Sequence, residues 1–207
     1  MRFIVLTAVL FLLNMGYAQE KVFNTFSIEI GGGVHAPWAP NNKIDRSDYI
    51  SFKQFQISGR YMFNEKLGLK GQYAYHGFKN RKNSQNETEM HKATLEVVYN
   101  LARALNLHYT VQEQFTFLIH AGAGLSVFAP KDGLTYDRIG NLQFGLTPLI
   151  RISDRVALYL DGTYVVNISQ NYSYAGESIA STTGGFPTAN IGFVFYLGEK
   201  RYHADWY

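Results

Sequence analysis

Residues 115–128 read Phe-Thr-Phe-Leu-Ile-His-Ala-Gly-Ala-Gly-Leu-Ser-Val-Phe. One set of alternate positions collects Phe115, Phe117, Ile119, Ala121, Ala123, Leu125 and Val127; the other collects Thr116, Leu118, His120, Gly122, Gly124 and Ser126. Successive side chains of a strand point to opposite faces, so this run predicts a long strand with one continuous apolar face. About ten strand residues, tilted, cross the hydrocarbon of a bilayer.

The same period recurs along the chain. Eight such segments fall near Phe23–His35, Phe52–Phe63, Leu67–Phe78, His91–Leu101, Phe115–Phe128, Asn141–Ile152, Val156–Val166 and Ala189–Leu197. In the first, Phe26, Ile28, Ile30 and Val34 oppose Thr25, Ser27, Glu29 and Gly31. In the second, Phe55, Ile57, Tyr61 and Phe63 oppose Gln54, Gln56, Ser58 and Arg60. No charged residue falls on the apolar face of any segment. A lipid-facing charge at the bilayer midplane costs about 2–4 kcal/mol, so this absence is what a membrane barrel requires. The polar faces hold mainly Gln, Thr, Ser and Gly, which suits an enclosed lumen better than the charged outer face of a soluble sandwich.

Connector lengths check the same reading. Long connectors fall near residues 36–51, 79–90, 129–140 and 167–188; Asn64–Lys66 and Ser153–Arg155 are short, and Ala102–Gln114 is intermediate. Outer-membrane barrels have short periplasmic turns and long outer loops. With both ends of the chain inside, eight strands need four outer loops and three inner turns. The expected fold is therefore all-β, an eight-stranded antiparallel transmembrane barrel over residues 19–198.

Composition closes off other classes. Of 207 residues, 17% are charged and 15% aromatic; a soluble domain carries roughly 25% charged residues. Such an aromatic, weakly charged chain buries surface and is not disordered. No run of about 18 apolar residues exists to make a transmembrane helix. The absence of cysteine excludes disulfides, thiolate metal sites and a thiol nucleophile. A dispersed net charge of +3 gives no nucleic-acid surface. At the start, Arg2, the apolar run Phe3–Leu13 and Gly16-Tyr17-Ala18 predict a secretory signal peptide over residues 1–18.

An eight-stranded barrel is just wide enough for side chains to fill. Parity places Glu29, Arg60, Lys70, Glu96, His120, Arg151 and Asp161 inside. Charges withdrawn from water must be paired, so these residues are expected to form an ion-pair and hydrogen-bond network that closes the bore; a water-filled, gated pore lined by the same groups is the alternative. Gly31-Gly32-Gly33, Gly122 and Gly124 lie within strands, without the following helix of a phosphate loop. They are expected to bend strands and to make room for neighbouring aromatics. Trp38, Tyr49, Phe52, Phe63, Tyr75, Phe78, Tyr99, Phe115, Phe128 and Tyr164 near strand ends are expected to form interfacial girdles. His35, His76 and Ser126 share the inward parity near the outer end, but no spacing makes them a catalytic set. The six histidines show no metal-ligand spacing. No enzyme activity, cofactor or metal is expected.

Three stretches carry a family resemblance: Leu95-Glu-Val-Val-Tyr-Asn-Leu101 running through Ala104-Leu-Asn106 into Phe117–Gly124; Gly145–Ala157; and Ile191–Gly198 followed by His203-Ala-Asp-Trp-Tyr207. Together they resemble the N-terminal transmembrane barrel of the outer membrane protein A (OmpA) family of Gram-negative bacteria. The resemblance implies a non-enzymatic, envelope-structural protein of the outer membrane, in contact with its lipid and lipopolysaccharide. In longer family members a segment like His203–Tyr207 leads into a peptidoglycan-binding domain; this chain stops at Tyr207, so residues 199–207 are expected to be a periplasmic tail or the start of a linker, and peptidoglycan contact would need that further domain. Surface recognition through the outer loops, with a partner that the sequence does not name, is a further alternative, and a soluble barrel carrying fatty ligands a more distant one.

Overall fold

The structure is a computed structural model that describes residues 22–40, 44–82, 87–106, 113–130 and 136–207. The leader reading of residues 1–18 falls outside them, as do parts of three outer connectors and of the intermediate turn. Eight strands close into one barrel: β1 (Phe26–His35), β2 (Gln54–Met62), β3 (Leu67–Lys79), β4 (Glu87–Asn100), β5 (Phe115–Pro130), β6 (Asp137–Arg151), β7 (Val156–Tyr172) and β8 (Ser178–Leu197). Each strand pairs antiparallel with its sequence neighbour, and β1 closes on β8 from Phe26↔Leu197 to His35↔Thr188. Closure leaves no unpaired sheet edge, the condition for a sheet in lipid.

The short turns at one end are set by single side chains. Asn64 Oδ1 accepts from the amides of Lys66 and Leu67, both at 2.8 Å. Ser153 Oγ accepts from Arg155 N at 3.2 Å and Val156 N at 3.1 Å. These side chains replace a backbone acceptor and tighten the reversal. After β4, Asn100 caps a single helical turn, α1 (Leu101–Ala104), accepting from Arg103 N at 3.1 Å.

At the opposite, loop end the strands outrun their expected lengths. The connector expected over 167–188 is largely a paired hairpin, because β7 continues to Tyr172 and β8 begins at Ser178. Its register shifts between Asn167 and Tyr172, where Ser169 has φ 60°. Beyond Val166 neither face carries an apolar stripe, so hydropathy alternation cannot mark this extension although its backbone is paired.

Below the shifted end of the β7–β8 hairpin, large apolar and polar side chains keep to opposite faces. Large apolar residues such as Ile57, Leu95, Ile119, Phe144, Leu160 and Phe193 face outward and are exposed. Inside, an apolar cluster lies toward each end. The loop-end cluster holds Tyr49, Phe78, Met90, Phe128, Ile139, Val165, Tyr174 and Phe186. The turn-end cluster holds Val98, Leu118, Leu149, Ala157, Tyr159, Val194, Tyr196 and Trp206. Tyr49, Phe78 and Phe128 are thus buried under the loops rather than set in an interfacial girdle, whereas Trp38, Phe52, Phe63 and Phe115 are exposed. The even positions of β3 and β5 point inward up to the strand end, which carries Phe78 and Phe128 into the bore.

Candidate functional site

Between the two apolar clusters lies a polar layer. Lys70 on β3 approaches Glu96 on β4, Nζ to Oε2, at 3.3 Å. Glu96 Oε2 lies 2.5 Å from His120 Nδ1, and His120 Nε2 lies 3.0 Å from Asp161 Oδ2 on β7. Asp161 also accepts from Thr147 Oγ1 and Thr163 Oγ1, both at 2.8 Å, and from Asn190 Nδ2 at 3.2 Å. Both imidazole nitrogens of His120 therefore face acceptor-only carboxylates. A neutral ring can donate to only one of them; the imidazolium donates to both.

Closer to the turn end, Arg60 is completely buried. Its Nε donates to Glu29 Oε1 at 2.7 Å, while Nη1 and Nη2 donate to Asp205 Oδ1 and Oδ2 at 2.7 and 2.8 Å. Ser58 Oγ donates to Glu29 Oε2 at 3.0 Å. The parallel two-bond pairing with Asp205 is the strong form of an arginine–carboxylate contact.

Neutral side chains strut the bore between strands that are not neighbours. Gln56 Nε2 donates to the Tyr159 hydroxyl at 3.0 Å, linking β2 to β7. Gln143 on β6 donates to Gln72 on β3 and to Thr94 on β4, both at 3.3 Å. Lys92 donates to Gln143, and Gln54 to Asn190. The carboxylates of Glu29, Glu96, Asp161 and Asp205 share the bore with the side chains of Arg60, Lys70, Lys92 and His120. Glycines make the space: a Cβ on Gly31 would lie 2.2 Å from the Tyr159 hydroxyl, and one on Gly192 2.7 Å from Tyr159 Cε1. The in-strand glycine therefore admits an aromatic ring into the bore.

Of the seven residues assigned to the lumen from sequence, Glu29, Arg60, Lys70, Glu96, His120 and Asp161 meet in this layer. Arg151 stands apart at the turn-side mouth. Its Nη2 binds Asp154 in the β6–β7 turn, and its guanidinium lies over Tyr202 and Trp206, 4.9 and 5.9 Å from the ring centroids. Two charged members escaped the sequence reading. Lys92 lies within the expected fourth segment, His91–Leu101, and has the parity of Thr94 and Glu96, so the same alternation places it inward. Asp205 lies after the last strand, where no periodicity applies.

The segment carrying Asp205 folds back across the turn-end mouth. Asn24 N donates to Tyr202 O at 2.8 Å, and Ala204 N donates to Asn24 O at 3.0 Å. The Asn24 side chain donates to Lys200 O at 2.6 Å and accepts from Lys200 N at 2.9 Å. His203 stacks on Tyr196 with centroids 4.5 Å apart. A one-turn 3₁₀ helix (Ala204–Trp206) then seats Asp205 and Trp206 in the mouth. The tail thus runs from β8 past the start of β1 to Arg60 on β2, across the seam that closes the barrel.

Near the loop end, the His35 and His76 rings are buried, perpendicular, with centroids 5.4 Å apart and Phe78 and Phe186 beside them. Ser126 Oγ has no hydrogen-bond partner, so no serine–histidine contact exists among these residues. Among the described residues, no cluster of three or more His, Cys, Asp or Glu side chains could hold a metal ion.

No protein-family model matches the sequence, nor does any curated protein. Solved structures do match the fold. Neisserial surface protein A aligns with a TM-score of 0.60 at 12% identity, over 83% of this chain and 97% of that one. A major outer membrane protein from Thermus thermophilus gives 0.55 at 12% identity, over 84% and 99%. The outer membrane protein OprG from Pseudomonas aeruginosa gives 0.50 at 12% identity, over 86% and 98%. The chain has the fold of small outer-membrane β-barrels, the fold that the resemblance to the OmpA barrel implied.

Proposed function

We propose that this chain is a non-enzymatic outer-membrane barrel protein with an envelope-structural role and a bore closed by its own side chains. One observation carries the reading: the barrel is inverted relative to a soluble protein. Its exposed wall is apolar, with Leu95, Phe144 and Ile191 each about half exposed or more, while its buried centre is polar and charged. Burying Arg60 and Asp205 inside while leaving so many large apolar side chains outside is unfavourable in water and favourable in lipid. The names of the similar solved barrels support the same compartment. The long-loop end then faces outward and the turn end faces the periplasm.

Closure of the bore favours a structural role over a porin. Apolar clusters occupy both ends, and struts such as Gln143–Gln72 cross the middle. Planar-bilayer recording of the purified full chain tests this. The expected result is no stable conductance, or rare small events; large, long-lived open channels would overturn the closed-bore reading in favour of a small porin.

A further inference from the structure

Toward the loop end, four neighbouring strands send donor atoms into one level of the bore. His35 ends β1. Gln54 opens β2 and pairs in register with His76 on β3, which pairs in turn with Met90 on β4. All four side chains are buried; His35 and His76 are each 1% exposed and Met90 not at all. Neither nitrogen of either imidazole makes a hydrogen bond of normal geometry among the described residues. The Gln54 carbonyl oxygen, beside His35, is likewise unpartnered, and the Gln54 amide nitrogen donates to Asn190. Buried polar groups are normally satisfied, so two adjacent rings with four unused nitrogens call for a shared ligand. Their surroundings select it. Phe78 lies 4.3 Å from the His35 ring and Phe186 5.1 Å from the His76 ring, centroid to centroid. The charge that faces His76 is the Lys92 ammonium, which donates to Gln143. No carboxylate bonds to either ring among the described residues. Neutral donors in a dry, aromatic-walled space leave a divalent ion uncompensated, whereas imidazole together with a thioether suits Cu(I). The spacing agrees. An imidazole nitrogen holds a metal at about 2 Å, which puts the ion about 3.1 Å from the ring centroid. Two rings 5.4 Å apart then subtend about 120° at the ion, the angle of a three-coordinate site.

We propose that His35, His76 and the Met90 thioether form a binding site for the soft monovalent ion Cu(I). The Gln54 carbonyl oxygen accepts from the remaining ring N–H of His35 and orients it. Spacing along the chain hides the site, because its donors come from three strands. The site lies inside the barrel and goes beyond the envelope-structural reading, which stands or falls separately. In the test, the full chain is purified in detergent, its fold is checked by heat-dependent gel mobility, and it is titrated without oxygen against the coloured Cu(I)–bicinchoninate complex. The wild type is expected to withdraw one Cu(I) per chain, and X-ray absorption of the product to show both imidazole nitrogen and one sulfur around copper. Met90→Leu, which conserves volume, is expected to remove the sulfur signal, and Met90→Leu and His76→Gln each to weaken binding at least about tenfold, the scale on which metal sites respond to a lost partner. Met62→Leu at the turn end and His91→Gln on the outer wall are expected to bind as the wild type does. Failure of the folded wild type to withdraw Cu(I), or bound copper without a sulfur neighbour, would overturn the proposal; neither arm needs a variant. So would undiminished binding by a folded His76→Gln chain, which would place the copper on other side chains, or displacement of the Cu(I) by equimolar Zn(II).

Discussion

Arg60 and Asp205 form a fully buried ion pair near the turn end of the barrel. Neither has any solvent exposure at its charged end. Removing one partner of a buried pair costs about 3–5 kcal/mol, because the other charge is stranded. Asp205→Asn is expected to cost about 3 kcal/mol, since Glu29 still compensates part of the Arg60 charge and the amide oxygen can accept one bond; the guanidinium-chloride midpoint in detergent measures it. Burial alone would raise the Asp205 carboxyl, but the Arg60 guanidinium outweighs it and holds the group well below the usual carboxylate range. A depressed native value makes this contribution fully present above the unfolded-state value of about 3.9, and lost as pH falls through the native one. The wild type should therefore keep it from neutral pH down to about 4 and lose it only in stronger acid; the Asn variant should lack that acid-dependent loss. A steep loss of wild-type stability between pH 7 and 5 with Asp205→Asn unaffected would contradict the assignment. Sequence could place Arg60 inward by parity, and Glu29 likewise. It could not supply Asp205, whose position depends on a chain reversal at Gly198, where φ is +132°.

Strands carry the next level of the account. Leu95 sits mid-strand on the outer face of β4, opposite Ala123 and Gly71. Leu95→Arg is expected to cost about 2–4 kcal/mol in a bilayer, measured as the unfolding free energy in phospholipid vesicles. A neutral result would mean that this face does not contact hydrocarbon. On the inner face, Tyr159→Phe removes the hydroxyl that accepts from Gln56 and leaves a buried amide donor, a loss of about 1–3 kcal/mol by the same measurement. No change there would mean that the Gln56 amide finds another partner. The strands were readable where one face meets lipid and the other the polar bore, because only there do apolar and polar residues alternate strictly. The β7–β8 extension was not readable, because both faces of Asn167–Tyr172 lie beyond the apolar wall. The aromatic girdle was overread for a related reason: ring chemistry is the same whether Phe78 points into the bore or out to the interface, and only parity separates the two.

At the scale of the whole molecule, the barrel stacks three inner layers, apolar at the loop end, charged in the middle and apolar again at the turn end. Its own tail covers the turn-end mouth. The charged layer was legible as a set of residues but not as a set of pairs, because parity fixes which way a side chain points, whereas bonds across the bore depend on the strand stagger. All of this depends on the barrel standing in a bilayer. The most direct measurement is the gel mobility of the full chain extracted from outer membranes, run with and without boiling. A compact, faster-migrating band before boiling that shifts to the unfolded position afterwards, with detergent required throughout, is the predicted result. A protein that is soluble without detergent and migrates identically in both lanes would contradict the account.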